Sequence, residues 1–315
     1  MDPVTHAVIG LVLGSQAGGE LALTNGILMA TALGAVAPDF DIVAQLWGDV
    51  AYLKQHRGIS HSLPGLALLS LVLGGIMTFL YPGAGFWALV SWTFLGALSH
   101  SCLDLFNSYG VGILWPFNKK RWTANLLMIF DPVLIIIALI VLFTKPTVPL
   151  SLGALFTAAS YLGSRAFMRY RAKSIILKRL QTKYSQVEVV VLPSLRNLFK
   201  WDFIARLPRR NMVGSVNLFS GKVRISHRLY CGEKEVIKAF KQTNLGKVFG
   251  EFTPFFHVDY ELVDNKFVGH FVDLRYQVKG RFLHNGTLIM NRDYHVEEAV
   301  FQPFSLSRRI YLPES

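Results

Sequence analysis

The stretch that is most informative about fold and function is residues 97–117, ALSHSCLDLFNSYGVGILWPF, which directly follows a long apolar run. His100 and Asp104 stand four residues apart within them. On an α-helix this spacing places an imidazole and a carboxylate on one face, where a single cation can reach both. The pair alone also fits an ordinary hydrogen-bonded or solvated pair. A metal site therefore requires further ligands from elsewhere in the chain.

Other metal-ligating side chains stand at the ends of apolar segments. His6 lies in the opening MDPVTHAVIG, Asp39 and Asp41 lie in APDFD, and HRGISH contains His56 and His61. Imidazole and carboxylate are ligands that borderline divalent cations such as zinc prefer. Ionisable groups near a membrane interior are costly unless they are paired or coordinated, so a functional site is the first hypothesis.

Composition separates the chain into two parts. Of its 315 residues, 52% are hydrophobic and 17% are charged, and nearly all long uncharged runs precede Arg165. Soluble domains have a higher charged fraction. We predict an α-helical integral membrane domain at residues 1–165, a basic linker or surface helix at 166–184, and a β-rich soluble domain at 185–315.

The first part contains about four to six apolar helices by this interpretation. The apolar segments are 7–17, 24–37, 63–81, 84–98 with its continuation, 128–144 and 148–163. The first two are shorter than the roughly 20 residues of a straight spanning helix, so they form either a tilted pair or a re-entrant hairpin. Small residues in LGGIM and FLGAL predict that helices approach closely there.

Alternating passage through a bilayer returns all the polar candidates to one side. Basic residues crowd that same side and the exit from the last segment, and by the positive-inside rule the side is cytoplasmic. The net charge of +12 fits such flanks and an attraction to anionic lipid. We therefore expect membrane lipid as a partner and no specific nucleic acid. The sequence indicates no particular oligomeric state.

The C-terminal half reads as short alternating runs typical of strands. The pair Asp264-Asn265 between two such runs predicts a hairpin. Residues 234–242 fit one helix, and we expect an antiparallel sheet with little other helix. Cys102 and Cys231 fall in different halves and do not suggest a disulfide framework.

The motifs MDPVTHAVIG, PDFD, HRGISHS, SHSCLDLFNSYG and IFDP occur in this order over about the first 165 residues. In this combination they resemble the LexA-regulated, membrane-bound, predicted metal-dependent hydrolase family. The order Asp39, His61, His100, Asp104 is also similar, more loosely, to the ligand order of zinc-dependent phospholipase C enzymes. The resemblances imply a bacterial inner-membrane hydrolase with a divalent metal, zinc above all, and they fix no substrate.

The positions that match the family's polar motifs are the candidate metal ligands His6, Asp39, His61, His100 and Asp104. Their number also allows a binuclear site. Asp131 before Pro132 is either a further ligand or the cap of a helix with proline in its first turn.

Two residues are candidates for catalysis. Asp41 is a carboxylate that orients a ligand, a base for an activated water, or the N-cap of the following IVAQLW. Arg57, beside Gly58, either binds a substrate phosphate or is a positively charged flank of the membrane segment.

Three functions compete at this level. The first is a metal-dependent hydrolase that acts on a phosphoester or amphiphilic, lipid-like substrate at the cytoplasmic leaflet. The second is a non-enzymatic membrane protein with a structural metal and a partner-binding C-terminal domain. A transporter ranks last, because its polar groups would follow a path through the bilayer rather than gather at one edge.

The charge distribution predicts the membrane topology. Reporter fusions after Lys120 and after Ser315 should both be active only with a cytoplasmic reporter, because basic residues crowd that side. Activity of an exterior-dependent reporter at either point would overturn this orientation.

Overall fold

The structure is a computed structural model that describes residues 1–47, 57–118, 120–144, 147–278 and 280–313, with side chains in the first range described up to Val43. The chain divides into two compact units, Met1–Phe167 and Met168–Ser315. His56, which the sequence places beside Arg57, falls outside the described residues.

The first unit is helical. Its elements are α1 (Pro3–Ser15), α2 (Gly26–Val36), a 3-10 segment (Ala37–Trp47), a short 3-10 turn (Ile59–His61), α3 (Leu63–Leu80), α4 (Phe86–Phe106), α5 (Pro132–Phe143) and α6 (Val148–Gln181), which continues into the second unit.

Polar residues cap several of these helices at their N-termini. The side chains of Asp2, Asn25 and Ser62 each accept a backbone N–H from the first turn that follows. A cap of this kind satisfies one of the donors that every helix start leaves unpaired. These residues therefore fix where α1, α2 and α3 begin.

Among the described residues, three segments are long and apolar enough to cross a membrane: Gly26–Val43, Leu63–Leu80 and Phe86–Phe106. The helices α1 and α5 are apolar but shorter. The count of spanning helices is thus lower than the four to six predicted. Asp131 caps α5, so this helix begins four residues after the start of the predicted apolar segment 128–144. The predicted segment 148–163 is only the first half of α6, which continues through basic residues.

Close helix contacts hold the first unit together, and α4 packs on both α2 and α3. A Cβ atom at Gly34 would lie 2.1 Å from the Thr93 carbonyl oxygen, and one at Gly96 would lie 2.1 Å from the Thr31 carbonyl oxygen. Only glycine permits this backbone approach between α2 and α4. The predicted close approach at FLGAL is confirmed, and at LGGIM a Cβ at Gly74 would meet the Val90 backbone.

The second unit begins with a four-stranded antiparallel sheet that runs in sequence order. Its strands are β1 (Glu188–Pro193), β2 (Lys200–Leu207), β3 (Arg210–Asn217) and β4 (Val223–Tyr230). One face of the sheet buries Trp201 and Phe203 against the last turns of α6, around Ile176. This amphipathic packing accounts for the apolar spacing in the basic segment of residues 166–184.

A second sheet has the strand order β11-β10-β9-β6-β5. It is accompanied by two helices and a two-stranded ribbon. The elements are α7 (Lys234–Gln242), α8 (Asn244–Phe252), β5 (Phe256–Val263), β6 (Lys266–Asp273), β7 (Gln277–Val278), β8 (Arg281–Phe282), β9 (Asn285–Met290), β10 (Val296–Gln302) and β11 (Ile310–Tyr311).

The β-rich second part is confirmed, with corrections. The hairpin of β5 and β6 turns at Asp264 and Asn265, both with left-handed φ angles that suit these residue types. The helix at residues 234–242 is confirmed. The expectation of one sheet is wrong, because two larger sheets form, and α8 was not predicted because Gly246 and Gly250 weaken its helical signal.

The glycine contact generates a stability prediction. Gly96→Ala should lower the midpoint of thermal unfolding in lipid nanodiscs, since overpacking of this kind costs about 1–3 kcal/mol. The matched control is Gly163→Ala in α6, where a Cβ meets nothing within 4 Å. The control should leave the midpoint unchanged or raise it, because alanine favours helix. Equal midpoints for the two variants would contradict the prediction.

Candidate metal centre

Helix ends in the first unit meet at a buried cluster of histidines and aspartates. His6 lies near the start of α1, Asp39 in the 3-10 segment after α2, His61 just before α3, and His100 and Asp104 near the end of α4. The three imidazoles and the Asp104 carboxylate are fully buried, whereas 22% of the Asp39 side chain is exposed. The cluster is therefore reached from the Asp39 side.

His100 has a fixed tautomer. Its Nδ1 lies 2.7 Å from the backbone oxygen of Ala35. A carbonyl oxygen only accepts hydrogen bonds, so Nδ1 carries the proton and donates it. The lone pair of His100 is consequently on Nε2, which faces the cluster.

His61 is fixed in the same way by side chains. Its Nδ1 lies 2.9 Å from Ser60 Oγ, and the Ser60 hydroxyl donates to Asp41 Oδ2 at 2.8 Å. Since the hydroxyl proton is used on Asp41, Ser60 Oγ accepts the Nδ1 proton of His61. The lone pair of His61 is again on Nε2.

These two lone pairs point at each other, because the Nε2 atoms of His61 and His100 are 3.1 Å apart. Asp39 Oδ1 lies 3.5 Å from His61 Nε2 and 3.4 Å from His100 Nε2. Asp104 Oδ2 lies 3.9 Å from both. Ligand atoms about 2.0–2.1 Å from one tetrahedral zinc ion are about 3.3–3.4 Å from one another. The His61, His100 and Asp39 atoms therefore suit one small divalent cation, and the Asp104 oxygen is a fourth candidate ligand, somewhat farther away.

Unpaired polar atoms in the described part of the chain favour the same interpretation. Asp39 Oδ1 and both ring nitrogens of His6 are buried without a hydrogen-bond partner there. Leaving such atoms unpaired is costly unless something else occupies the space between them. A bound cation would satisfy the carboxylate oxygen.

His6 is a fifth member of the cluster. Its ring stacks on that of His100 with centroids 3.6 Å apart, and its Nε2 lies 3.5 Å from Asp104 Oδ1. The metal-competent groups among the described residues are His6, Asp39, His100 and His61, His100, Asp104. Both groups contain His100, whose single available lone pair can bind only one ion. The two groups therefore describe one metal site and not two.

Asp104 is held in place from its other side. Arg57 Nη2 lies 3.1 Å from Asp104 Oδ2, and Asn107 Nδ2 donates to Oδ1 at 2.7 Å. Arg57 also donates to Asn107 Oδ1 and lies over the Tyr109 ring, while the α-amino group of Met1 contacts Asp104 Oδ1. Arg57 is buried, and its guanidinium group lies at the cluster.

Two other sequence candidates lie outside the set of four ligand atoms. The Asp41 carboxylate lies at the Nδ1 edge of His61, 3.7 Å away, which fits the orienting role and not that of a base at the cation. Asp131 belongs to neither metal-competent group. It caps α5 and accepts the Tyr161 hydroxyl, so the capping alternative describes it.

The sequence interpretation missed Ser60 and the carbonyl of Ala35. Ser60 stands directly before His61, and this adjacency is a weak signal for an orienting hydroxyl. The Ala35 contact is made by the backbone, which no residue type reveals. Asn107, at the C-terminal end of α4, links Arg57 to Asp104.

The histidines of the second unit form no metal-competent group among the residues that are described. Asn211 contacts the His257 ring, and His270 pairs with Glu261 on the surface. His284 packs between Phe252 and Phe304, and burial lowers its pKa to about 4.

Comparisons with known proteins agree with the two-part organisation. Residues 1–172 match the family described as YdjM inner membrane protein, and residues 235–309 match the family described as YfhP C-terminal alpha/beta plait domain. The chain is 28% identical over 295 residues to the "Uncharacterized protein YfhP" of Bacillus subtilis (strain 168), covering 90% of this chain and 89% of that protein. No solved structure matches.

The geometry generates a prediction about metal content. Protein purified in detergent should carry close to one divalent ion per chain, and His61→Ala or His100→Ala should remove it. Ser60→Ala should weaken metal affinity roughly 10–100-fold, as the loss of a hydrogen bond to a ligand does. Elemental analysis and a competition titration with a chelator would measure both effects.

The matched control is His270→Ala, because this histidine is half-exposed on β6 and its loss leaves no buried cavity. It should keep the wild-type metal content. Wild-type stoichiometry in folded His61→Ala and His100→Ala proteins would refute the metal centre.

Proposed function

Since the chain belongs to the YdjM inner membrane protein family, we propose that it is a membrane-bound, metal-dependent hydrolase. Its substrate class is a phosphoester with an apolar part, reached at the cytoplasmic leaflet. The metal is a divalent cation, zinc above all, because two imidazoles and two carboxylates suit that ion.

One observation carries the proposal: two histidine Nε2 atoms converge with two carboxylate oxygens at the edge of an apolar helix unit. Nothing in the packing of α2, α3 and α4 requires bare lone pairs to face each other at that point. Three candidate membrane spans end or begin there. A buried ionic cluster in such a place favours function over structure.

A bound divalent ion would supply Lewis-acid chemistry, polarising a phosphoryl oxygen and lowering the pKa of water. His61 and His100 would hold it through Nε2, because their Nδ1 protons are committed to Ser60 and Ala35. Asp104 would hold it in an ionised form, since Arg57 and Asn107 both stabilise the carboxylate.

Arg57 also places its positively charged guanidinium group beside the cluster. Its positive charge is 3.1 Å from Asp104 Oδ2 and is largely shielded from water. A fixed charge in a water-poor site stabilises negative charge more strongly than one in water. We assign Arg57 the role of positioning Asp104 and of favouring an anionic substrate.

The side of the cluster that is open to solvent, at Asp39, determines which substrates can reach it. Asp39 is the ligand candidate with an exposed fraction, and it lies near the C-terminal end of the candidate span Gly26–Val43. A molecule that approaches there has its polar group at the cluster and its apolar part along the helices. Amphiphilic phosphoesters, such as lipid head groups, meet this requirement.

A structural metal in a non-enzymatic membrane protein is the second candidate. The observation that supports it is the presence of four candidate ligand atoms: if all four bind the ion, they fill a tetrahedron and leave no position for substrate, whereas three leave the open position that hydrolysis needs. In that case the ion would stabilise the helix ends, and the second unit would bind a partner.

Turnover decides between the two functions. Metal-replete protein in nanodiscs should release phosphate or alcohol from a panel of phospholipid and lipid phosphomonoester substrates, and a chelator should abolish the release. His61→Ala should lower kcat/KM at least roughly 100-fold, consistent with losing a metal ligand, whereas His270→Ala should retain activity.

The contrary result is also specific. If metal-loaded protein cleaves none of the panel, and removal of the ion instead lowers the thermal midpoint sharply, the structural function is correct. The Asp39→Asn variant adds a second test of the proposed hydrolase, because asparagine keeps the shape of the exposed side chain and removes only its negative charge.

A further inference from the structure

A cavity of about 600 Å³ lies wholly in the second unit, on the four-stranded sheet. Residues of the β1–β2 loop, β2, β3, β4 and the segment after β6 line it. The lining includes Arg196, Lys200, Asp202, Ser215, Arg224 and Ser226. Neither family match, at residues 1–172 or 235–309, covers strands β1 to β4.

A β-bulge shapes this cavity. Val213 pairs with His227, and Gly214 pairs with Ile225, so β4 has one extra residue, Ser226, at this point. The Ser226 hydroxyl donates to the Val213 carbonyl oxygen at 2.9 Å. Bulges bend a strand and redirect its side chains, and they occur often beside binding sites.

The opposite strand is adapted to the bulge. A Cβ at Gly214 would lie 2.3 Å from the Arg224 carbonyl oxygen and 2.8 Å from the Phe203 ring. Gly214 is paired with Phe203, so a side chain there would crowd the opposite face of the sheet, which packs against α6. The glycine thus permits the bulge, and the bulge bends β4 at the cavity.

Strand register places a row of polar residues across this surface. Asp202 is opposite Ser215 on β2 and β3, and Ser215 is opposite Arg224 on β3 and β4. Directly paired residues lie on the same face of a sheet. Burial raises the pKa of Asp202 to about 6, and the positive charge of Lys200 partly offsets this effect.

The balance of charge in the cavity is positive. Arg275 is already paired with Asp273, at 2.8 Å between Nη2 and Oδ2. Lys200 balances the Asp202 carboxylate, whereas Arg196 and Arg224 form no ion pair within the described residues. Two guanidinium groups and the Ser215 hydroxyl are the kinds of donor that phosphate groups use in proteins.

We propose that this cavity binds a phosphate monoester group. The bulge provides the concave surface, the two arginines provide the charge, and Ser215 stands between Arg224 and Asp202 to orient the oxygens. The site is separate from the histidine–aspartate cluster of the first unit and does not depend on the proposed hydrolase activity. The phosphate belongs either to a soluble ester or to a lipid head group such as phosphatidic acid.

Calorimetric titration of the full-length protein in phosphatidylcholine nanodiscs with inorganic phosphate and with glycerol 3-phosphate tests the proposal. Wild type should bind both, and Arg224→Gln should weaken binding roughly tenfold or more, as loss of a charged hydrogen bond does. The matched control is Arg228→Gln, on the same strand and outside the cavity lining; beyond the bulge it pairs with Met212, on the sheet face opposite to Arg224. It should bind as wild type does.

Further variants separate the remaining outcomes. Arg196→Gln should also weaken binding and serves if Arg224→Gln fails to fold. His100→Ala should not change it; loss of phosphate binding in His100→Ala alone would place the anion at the metal cluster and overturn the proposal. Equal loss in Arg228→Gln, or no binding by wild type up to millimolar phosphate, would also overturn it.

The source of the phosphate is resolved by a second titration in nanodiscs that contain phosphatidic acid. Weaker binding of glycerol 3-phosphate than in phosphatidylcholine alone, by wild type but not by Arg224→Gln, supports the lipid head group. Unchanged binding supports a soluble phosphate ester. Either result keeps the phosphate monoester as the ligand class.

Discussion

The first unit depends on two imidazole lone pairs that face each other across 3.1 Å. Each ring is turned this way by a hydrogen bond at its far edge, from His100 to the Ala35 carbonyl and from His61 to Ser60. Two bare nitrogens at this distance repel each other, and carboxylates add further negative charge. The arrangement favours a positive charge between the rings, which is the main support for the proposed metal.

Helix packing supplies the precision that such a site needs. Gly34 and Gly96 bring the backbones of α2 and α4 together about one turn from the ligands that these helices carry. The same contact lets the end of α2 present its Ala35 carbonyl to His100 on α4. Arg57 and Asn107 then fix Asp104 from the outer side. Stability and chemistry thus share one set of contacts, and a change in the helix interface reaches the cluster.

Part of this organisation could be predicted from the sequence. The spacing of His100 and Asp104 indicated a shared helix face, and the alternation of apolar segments brought Asp39 and His61 to the same end. The orientation of the rings could not be predicted, since it depends on a backbone carbonyl and on a neighbouring serine. For Arg57 the sequence left two roles open, a phosphate-binding residue or a membrane flank, because sequence gives no burial. The second sheet was missed because strand pairing is set by contacts distant in sequence.

X-ray absorption at the metal edge of the purified, metal-loaded protein tests the central claim most directly. Two opposed Nε2 atoms and two carboxylate oxygens predict a first shell of nitrogen and oxygen only, with the outer-shell scattering of two imidazole rings. His61→Ala should reduce the imidazole contribution, whereas Ser60→Ala should keep it. A shell without imidazole scattering, or one that is unchanged in His61→Ala, would contradict the account.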